Sequence, residues 1–229
     1  MIFYAPECTL DHNTYTLSEV ESKHCIKVLR NKIGSEIEII NGHGGQFLCK
    51  IIDDHHKKCE VKIIEKTQHP SQPNDTHIAM AIPKSSDRLE WFMEKATEIG
   101  ISRLSLINCE HSERRSFNQT RLTKITVSAL KQSKRFHLPI IEEPVKFQEF
   151  INKHPKGYIG HCNVDDKIMG REMNQLMPFL IGPEGDFSEE EREEILRFKD
   201  VQPIKINENI LRSETAVISA LSIVNYSIN

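Results

Sequence analysis

The sequence has no long hydrophobic run, which excludes a chain that crosses a membrane as an α-helix. Its 229 residues are 38% hydrophobic, yet no stretch approaches the roughly 20 apolar residues that a membrane span requires. The N-terminal residues also lack the charged and apolar regions of a signal peptide. We therefore expect a globular cytoplasmic protein with a buried core of ordinary size.

Closely spaced cysteines are missing as well. The six cysteines are scattered along the chain and none forms a Cys-x-x-Cys pair, a pattern that predicts neither a disulfide framework nor a zinc site. His55 and His56 have no third metal ligand at suitable spacing, so we expect no metal there. The cysteines are better explained as reduced residues with structural roles.

Net charge is low, and its value of −3 alone argues against a nucleic-acid partner. The distribution of charge favours one, because residues 111–135 contain seven basic residues and a single acidic one, Glu113. Such a stripe is able to follow a phosphate backbone, although a solvated helix face has the same composition. The basic residues of the stripe are Arg114, Arg115, Arg121, Lys124, Lys131, Lys134 and Arg135.

Hydrophobic periodicity divides the chain into two predicted domains. Short runs of alternating apolar and polar residues predict a small β-barrel or sandwich over residues 1–70. Prolines and small polar residues at 69–75 show no periodicity and predict a linker, with the boundary near residue 72. The alternating runs are 36–40, 46–52 and 59–64.

Residues 74–229 form the second predicted domain, of the α/β class. Strand-like apolar runs alternate with helical periodicity, as where Leu89, Phe92, Met93 and Ala96 recur before Gly100 stops a helix. This alternation predicts a mostly parallel sheet with helices on both faces. The predicted strands are 77–82, 104–107, 158–161 and 178–181.

Two polar turns follow strand-like runs near the C-terminus, at 182–188 and 209–215. In the first turn, Gly182 and Gly185 permit backbone conformations closed to other residues, and Ser188 with Glu191 predicts a capping box at the next helix. Turns beyond strand ends present backbone groups to ligands in α/β proteins. A tight strand-to-helix connection without a ligand would use the same residues.

The two turns complete a set of motifs that covers nearly the whole chain. The set comprises His24, 28–30, Lys84, Arg88, 94–100, 112–114, 132–135 and the turns themselves. In this order and spacing the sequence resembles the family of 16S rRNA uracil-N3 methyltransferases, the RsmE family of the knotted SPOUT class. The resemblance implies a SPOUT domain with a parallel sheet and a deep trefoil knot, and a PUA-like RNA-binding β-barrel at 1–70. It also implies S-adenosylmethionine as methyl donor and 16S rRNA of the small ribosomal subunit as substrate.

The donor is expected where three strand ends meet. Both turns are expected to contact S-adenosylmethionine, with the end of the 158–161 strand as a third wall. The other common methyltransferase architecture needs a Gly-x-Gly loop after its first strand, but 77–84 contains no glycine. The predicted donor-binding residues are Gly160, His161, Ile181, Gly182, Pro183, Glu184, Gly185, Ile210, Leu211, Arg212 and Thr215.

Methylation of a uridine N3 sets two chemical requirements. One group must help to remove the N3 proton, and another must stabilise negative charge on the base oxygens. Arg114, Arg135 and Arg212 lie in the matching motifs and suit the second task, whereas Glu214 suits the first if its carboxylate is buried. A structural ion pair or helix cap is the alternative role for Arg212 and Glu214.

Basic residues of both domains are expected to contact RNA. His24 lies beside Cys25, but this pair does not predict a covalent nucleophile, because N-methylation needs no covalent adduct. The predicted RNA contacts are Lys23, His24, Lys27, Arg30, Arg114, Arg115, Lys131, Lys134 and Arg135, with Arg121 and Lys124 of the stripe as further phosphate contacts.

Three residues depart from the family pattern. Asp186 stands where relatives usually have glycine, and Asn207 and Asn209 stand where many have glycine and arginine. We expect the second turn to survive, because asparagine tolerates left-handed backbone geometry. Two alternatives stay open: a SPOUT methyltransferase for another RNA such as tRNA and, because of these departures, a non-catalytic RNA-binding factor in ribosome assembly.

The last predicted helix, 215–228, is apolar on more than one face. We expect it to be buried on two sides. A partner subunit in a homodimer is expected to cover the second side, since exposure would leave a large apolar patch.

Overall fold

The chain forms two compact units in the computed structural model, which describes residues 1–71, 76–160, 177–198 and 200–226. The first unit comprises Met1–Gln72 and Val127–Leu138, and the second comprises Pro73–Thr126 and Pro139–Asn229. The segment Val127–Leu138, which lies beyond the boundary expected from the sequence, therefore packs with the first unit. None of the helices within the described residues is long and apolar enough to cross a membrane.

Five strands form the sheet of the first unit. They are β1 (Ile2–Tyr4), β2 (Thr14–Thr16), β3 (Glu36–Ile40), β4 (Gly45–Asp53) and β5 (Glu60–Gln68). Their order is β1-β3-β4-β5-β2, and only the β1-β3 pair is parallel among the described pairs. Because β1 and β2 lie at opposite ends of this order, the predicted barrel is an open, curled half-barrel.

Alternation along these strands fills the core of the first unit with Ile37, Ile39, Phe47 and Cys49. Helix α1 (Glu19–Lys23) begins at Ser18 and runs directly into a π-helical segment, His24–Val28. The five cysteines that the structure describes are all free and buried. Burial raises the pKa of the Cys49 and Cys59 thiols to about 12, so these two side chains pack as neutral core residues.

Seven parallel strands form the sheet of the second unit, which confirms the predicted α/β class. They are β6 (His77–Ala81), β7 (Arg103–Asn108), β8 (Ile140–Ile141), β9 (Val145–Lys146), β10 (Lys156–Gly160), β11 (Phe179–Ile181) and β12 (Asp200–Ile204). The order is β12-β10-β11-β6-β7-β8, with β9 also paired to β7. The helices outside α1 are α2 (Ser86–Ile99), α3 (Gln119–Ser133), α4 (Phe147–Lys153), α5 (Glu189–Arg197) and α6 (Ser213–Tyr226).

Helix α2 follows its apolar periodicity. Leu89, Phe92 and Met93 are buried in the largest core cluster, together with residues of α6. Gly100 ends the helix with φ of +120°, and its N–H donates to the Ala96 carbonyl at 2.9 Å.

Helix α6 buries one face within the protomer, and its second buried face was expected against a partner subunit. Ala216, Val217 and Leu221 belong to the core cluster, whereas Ser222 and Ile223 are exposed. The predicted trefoil knot depends on the path from β10 to β11. Residues 161–176 lie outside the described residues, so the knot stays a prediction.

Candidate active site

Three parallel strands of the second unit end at one edge of its sheet. β11 lies between β10 and β6, so Gly160, Ile181 and Ala81 reach the edge together. A Cβ added at Gly160 would lie 2.8 Å from Cδ1 of Ile181 and 3.2 Å from Cδ1 of Ile206. Ile181 and Ile206 thus fill the space over Gly160, and the edge presents apolar side chains, a surface that suits a flat heterocycle.

The first predicted turn follows β11 and is fixed by helix α5. The N–H of Asp186 donates to the Pro183 carbonyl at 3.0 Å and closes the turn. Ser188 and Glu191 then form the predicted capping box, with N–H to side-chain distances of 3.3 and 3.0 Å. These hydrogen bonds fix the turn, so its backbone N–H and C=O groups are held in defined positions.

Asp186 adopts the left-handed backbone conformation that favours glycine, with φ of +62°. Its Oδ1 accepts the N–H of Phe187 at 2.8 Å, and its Oδ2 accepts a hydrogen bond from Nη2 of Arg192 at 3.0 Å. These two contacts offset the strain of a Cβ in this region. Asp186 therefore holds the left-handed turn although it carries a Cβ.

Residues of the loop after β7 form hydrogen bonds with the first turn and with the helix that follows it. Nδ1 of His111 lies 3.2 Å from the Gly185 carbonyl and 3.0 Å from the Asp186 carbonyl, so Nδ1 must carry the proton and donate. Glu191 also accepts the N–H of Glu110 at 2.8 Å. A Cβ added at Gly185 would lie 3.2 Å from Cβ of His111. The sequence did not predict this role for His111, because no motif links it to the turn.

The second turn, between β12 and α6, forms without left-handed asparagines. Asn207 Oδ1 accepts the N–H of Asn209 at 2.9 Å, a local side-chain turn. Neither asparagine has a positive φ, so the left-handed geometry that asparagine tolerates is not used in this turn. Ile210 is 85% exposed, and an apolar side chain held in water beside a strand end suits contact with a ligand.

One arginine of α2 links the two turns. Nη1 of Arg88 lies 3.5 Å from Oε1 of Glu184 in the first turn, and Nε lies 3.6 Å from Oε1 of Glu214 at the start of α6. The N–H of Lys84 also donates to Glu184 at 3.2 Å. Glu214 is buried and its Oε2 accepts from the Ser213 hydroxyl at 3.4 Å. Arg88 was missed as a site residue, since its partners lie about a hundred residues away in sequence.

The predicted catalytic arginines belong to different parts of the protein. Arg114 is half-buried before α3 and Arg212 is exposed at α6, both in the second unit. Arg135 belongs to the first unit, where burial lowers the pKa of its guanidinium. His161, expected beside Gly160, lies outside the described residues.

Several predicted RNA contacts of the first unit have local partners. Nζ of Lys131 pairs with Glu21 at 2.9 Å, and Nζ of Lys23 pairs with Glu19 at 2.7 Å. The ring of His24 lies edge-on to Phe3, 6.1 Å between centroids. Across the described chain, no group of three His, Cys, Asp or Glu side chains has the geometry to hold a metal ion.

Comparison with known families gives the class of protein to which this fold belongs, the RNA methyltransferases. A model of the RNA methyltransferase domain matches residues 70–225, and a model of the RNA methyltransferase PUA domain matches residues 17–64. More narrowly, the chain belongs to the family of ribosomal RNA small subunit methyltransferase E. It is 32% identical over 207 residues to that protein of Rickettsia conorii, over 87% of this chain and 84% of the relative.

Other relatives extend the match to both ends of the chain. The Aquifex aeolicus protein of the same name is 28% identical over 97% of each chain. The crystal structure of a probable rRNA methyltransferase from Porphyromonas gingivalis is 32% identical, with a TM-score of 0.84 over 98% of this chain and 97% of that one. The Neisseria gonorrhoeae methyltransferase E bound to S-adenosyl methionine shares the fold, with a TM-score of 0.85 at 23% identity over 96% and 94% of the two chains.

Proposed function

We propose that the protein transfers a methyl group from S-adenosylmethionine to N3 of a uridine in 16S rRNA of the small ribosomal subunit. Relatives are named for methylation of small-subunit rRNA, and a solved protein of the same fold binds S-adenosyl methionine. The observation that carries the proposal is the pair of turns at one sheet edge, joined through Arg88. This substrate implies a cytoplasmic protein.

The donor would lie against the first turn and the apolar side chains at the sheet edge. Gly160 and the 182–185 turn offer N–H and C=O groups, while Ile206 and Ile210 offer apolar contacts. This set of groups fits an adenine and its ribose, which need hydrogen bonds at the edges and apolar contact on the faces. S-adenosylmethionine supplies a methyl group on a positively charged sulfur. The residues of the site would position the donor and exclude water.

The remaining chemistry falls on the side chains beside the second turn. Arg212 suits stabilisation of the negative charge that builds on the uracil oxygens as N3 loses its proton. The Glu214 carboxylate contacts Arg88 and Ser213, which supports a positioning role more strongly than the acid–base role. Each carboxylate oxygen keeps a further lone pair beside its contact, so the acid–base role of Glu214 stays a prediction.

The geometry of the first turn weighs against the non-catalytic alternative. That alternative depended on the substitutions at Asp186, Asn207 and Asn209. Asp186 keeps the left-handed conformation, and Asn207 closes the second turn through its own side chain. The substitutions therefore leave both turns available for a ligand.

The proposed assembly is a homodimer with two-fold symmetry. Helix α6 buries one face in its own core, while Ile223 on another face is 37% exposed. Pairing with a second copy through this face would remove it from water, and a symmetric pair is the commonest solution among homo-oligomers.

Replacement of Gly185 by valine tests the donor site. Since a Cβ there would already lie 3.2 Å from His111, the branched side chain should displace His111 and the turn. We expect donor affinity by calorimetry to fall at least about tenfold, or about 1.4 kcal/mol, while a cooperative unfolding transition shows that the variant is folded. The matched control, Glu190→Val on the exposed side of α5, should bind normally.

The acceptor is tested on ribosomes. Reverse transcription of 16S rRNA from a deletion strain should lose one stop, because N3-methyluridine blocks base pairing, and the wild-type gene should restore it. Normal donor affinity in Gly185→Val would contradict the donor site. An unchanged stop pattern in the deletion strain would contradict the acceptor.

A further inference from the structure

An open cleft lies beside the start of α2 in the second unit. Its volume is about 710 Å³, inside the roughly 300–1,000 Å³ range of small-molecule sites. Its walls come from the first turns of α2 and from the loop that leads into α3. None of the predicted donor-binding residues lines it, so it is a second site of the same unit.

Two arginines and two carboxylates line the cleft: Arg114, Arg121, Asp87 and Glu90. Of the two arginines, Arg121 pairs with Glu90 through Nη2 and Oε2 at 2.8 Å and through Nε. Asp87 also lies near Arg121 and raises the pKa of its guanidinium, after the larger effect of Glu90. Arg114 makes no ion pair within the described part of the chain. Its guanidinium is therefore the cation that the cleft offers to a phosphate.

The cleft also has a fixed aromatic wall. Phe117 is partly buried and packs against the largest core cluster of the unit, which limits the motion of its ring. Beside it, Oδ1 of Asn118 accepts the N–H of Arg121 at 3.0 Å, so the amide nitrogen is the end of Asn118 that donates elsewhere. A fixed ring with an amide donor beside it suits an unstacked base.

A short segment separates the cleft from the first turn. Ser86 lines the cleft, whereas Lys84 and Arg88 contact Glu184 of the turn. On the other side, Glu113 immediately precedes Arg114 and pairs with Nζ of Lys84 at 2.7 Å. A ligand in the cleft thus lies next to the residues that hold the candidate donor site.

We propose that this cleft binds the acceptor uridine nucleotide after it has left the RNA stack, with its phosphate on Arg114 and its base against Phe117. The inference rests on the methyl transfer proposed above and adds to it the place where the acceptor enters. Enzymes that modify a base in RNA or DNA need it unstacked to reach the reacting atom. The volume, the single unpaired cation and the fixed ring match one nucleotide.

Filling the cleft tests this assignment without touching the donor site. Ser116 and Thr120 line the cleft and are exposed, so Ser116→Trp and Thr120→Trp should each block it. Asn152→Trp, at an equally exposed position on α4 outside the cleft, is the control. We expect both cleft variants to raise the KM for small-subunit RNA at least about tenfold, or about 1.4 kcal/mol, while donor affinity changes less than twofold.

Removal of the cation gives an independent readout. Log affinity for RNA falls as log salt concentration rises. Arg114→Gln should make this dependence shallower by about 0.7 in slope, the value for one contact with a single strand, and Arg114→Lys should restore most of the slope. Affinity is measured on a uridine-containing oligonucleotide without donor, so the cleft is tested even in the absence of turnover. Wild-type RNA affinity and KM in folded Ser116→Trp and Thr120→Trp would overturn the cleft assignment. If the wild-type protein neither bound S-adenosylmethionine nor methylated small-subunit RNA, the proposed function itself would be refuted.

Discussion

At the scale of single residues, Arg88 is a side chain that contacts both turns. Its guanidinium contacts Glu184 in the first turn and Glu214 beside the second. Glu214 has a side chain only 8% exposed, and a buried carboxylate without a partner is costly. The loss of Arg88 should therefore affect both turns together.

Arg88→Met should destabilise the protein by about 1–2 kcal/mol. Breaking a fully buried ion pair costs roughly 3–5 kcal/mol. The cost is smaller here because Arg88 is about one-third exposed and solvent screens the interaction. Donor affinity should fall with it. The check is a double-mutant cycle with Glu214→Gln, measured by denaturant unfolding and calorimetry. Coupling should be clear in both quantities, and strict additivity would mean that the pair does not join the turns.

Asp186 gives a second prediction, in which backbone strain is separated from side-chain contacts. Asp186→Gly removes the left-handed strain but also the contacts to Phe187 and Arg192, so unfolding free energy should change by less than about 1 kcal/mol. Asp186→Val puts a branched side chain at positive φ and should cost about 1–3 kcal/mol. Denaturant midpoints of the two variants decide the matter, and equal midpoints would show that strain is absent.

At the scale of helices and strands, features set by neighbouring residues could be predicted from the sequence. Contacts between residues far apart in the chain could not. The capping box at Ser188 and the stop at Gly100 follow from neighbouring residues, and the structure confirms both. The contacts of His111 with the first turn span over seventy residues, and no periodicity encodes such a meeting. The sequence thus predicts a donor site at the strand ends, whereas the contacts of His111 that hold the first turn could not be predicted.

Helix α3 shows the same limit for charge. From sequence its cations formed one stripe, but in the structure Arg121 pairs with Glu90 and Lys131 pairs with Glu21. The helix is also divided between the two units after Thr126. A count of like charges cannot reveal which of them are already neutralised, so the RNA contacts of the stripe stay predictions.

The start of β6 contains a buried polar chain that makes stability depend on pH. Nε2 of His77 lies 2.7 Å from the Ser105 hydroxyl, which donates in turn to Glu142. Ser105 therefore accepts from His77, and the neutral histidine carries its proton on Nε2. Burial lowers the pKa of His77 to about 4, with a smaller effect from His154.

In the unfolded protein the pKa of His77 is about 6.5. Below that pH the histidine takes up a proton in the unfolded protein but not in the folded one. Stability should therefore be complete above about pH 6.5 and fall as the pH drops towards 4, by about 3 kcal/mol in total from this residue. Unfolding of wild type and His77→Gln at pH 7 and pH 5 checks this. The variant should lose less stability than wild type between these two values, and equal losses would exclude His77 as the cause.

At the scale of the whole molecule, each unit has its own hydrophobic core. The first is centred on residues such as Phe3 and Phe47, and the second on Phe92 and Leu106. Periodicity alone was enough to predict a β-rich and an α/β domain, because alternation and helical spacing are local. The return of Val127–Leu138 to the first unit was not predictable, since nothing in its sequence distinguishes it from the rest of α3.

The proposed homodimer is the property of the molecule that neither core explains. In α6, residues at positions such as Val217 and Leu221 face the core of the protomer, and Ile223 does not. If a second copy covers this face, Ile223→Lys should place two charges in the two-fold interface and dissociate the pair. Ile64→Lys on β5 is the control, because Ile64 is 48% exposed and lies in the first unit. Sedimentation at micromolar concentration should show a dimer for wild type and Ile64→Lys but a monomer for Ile223→Lys, and a stable wild-type monomer would rule the interface out.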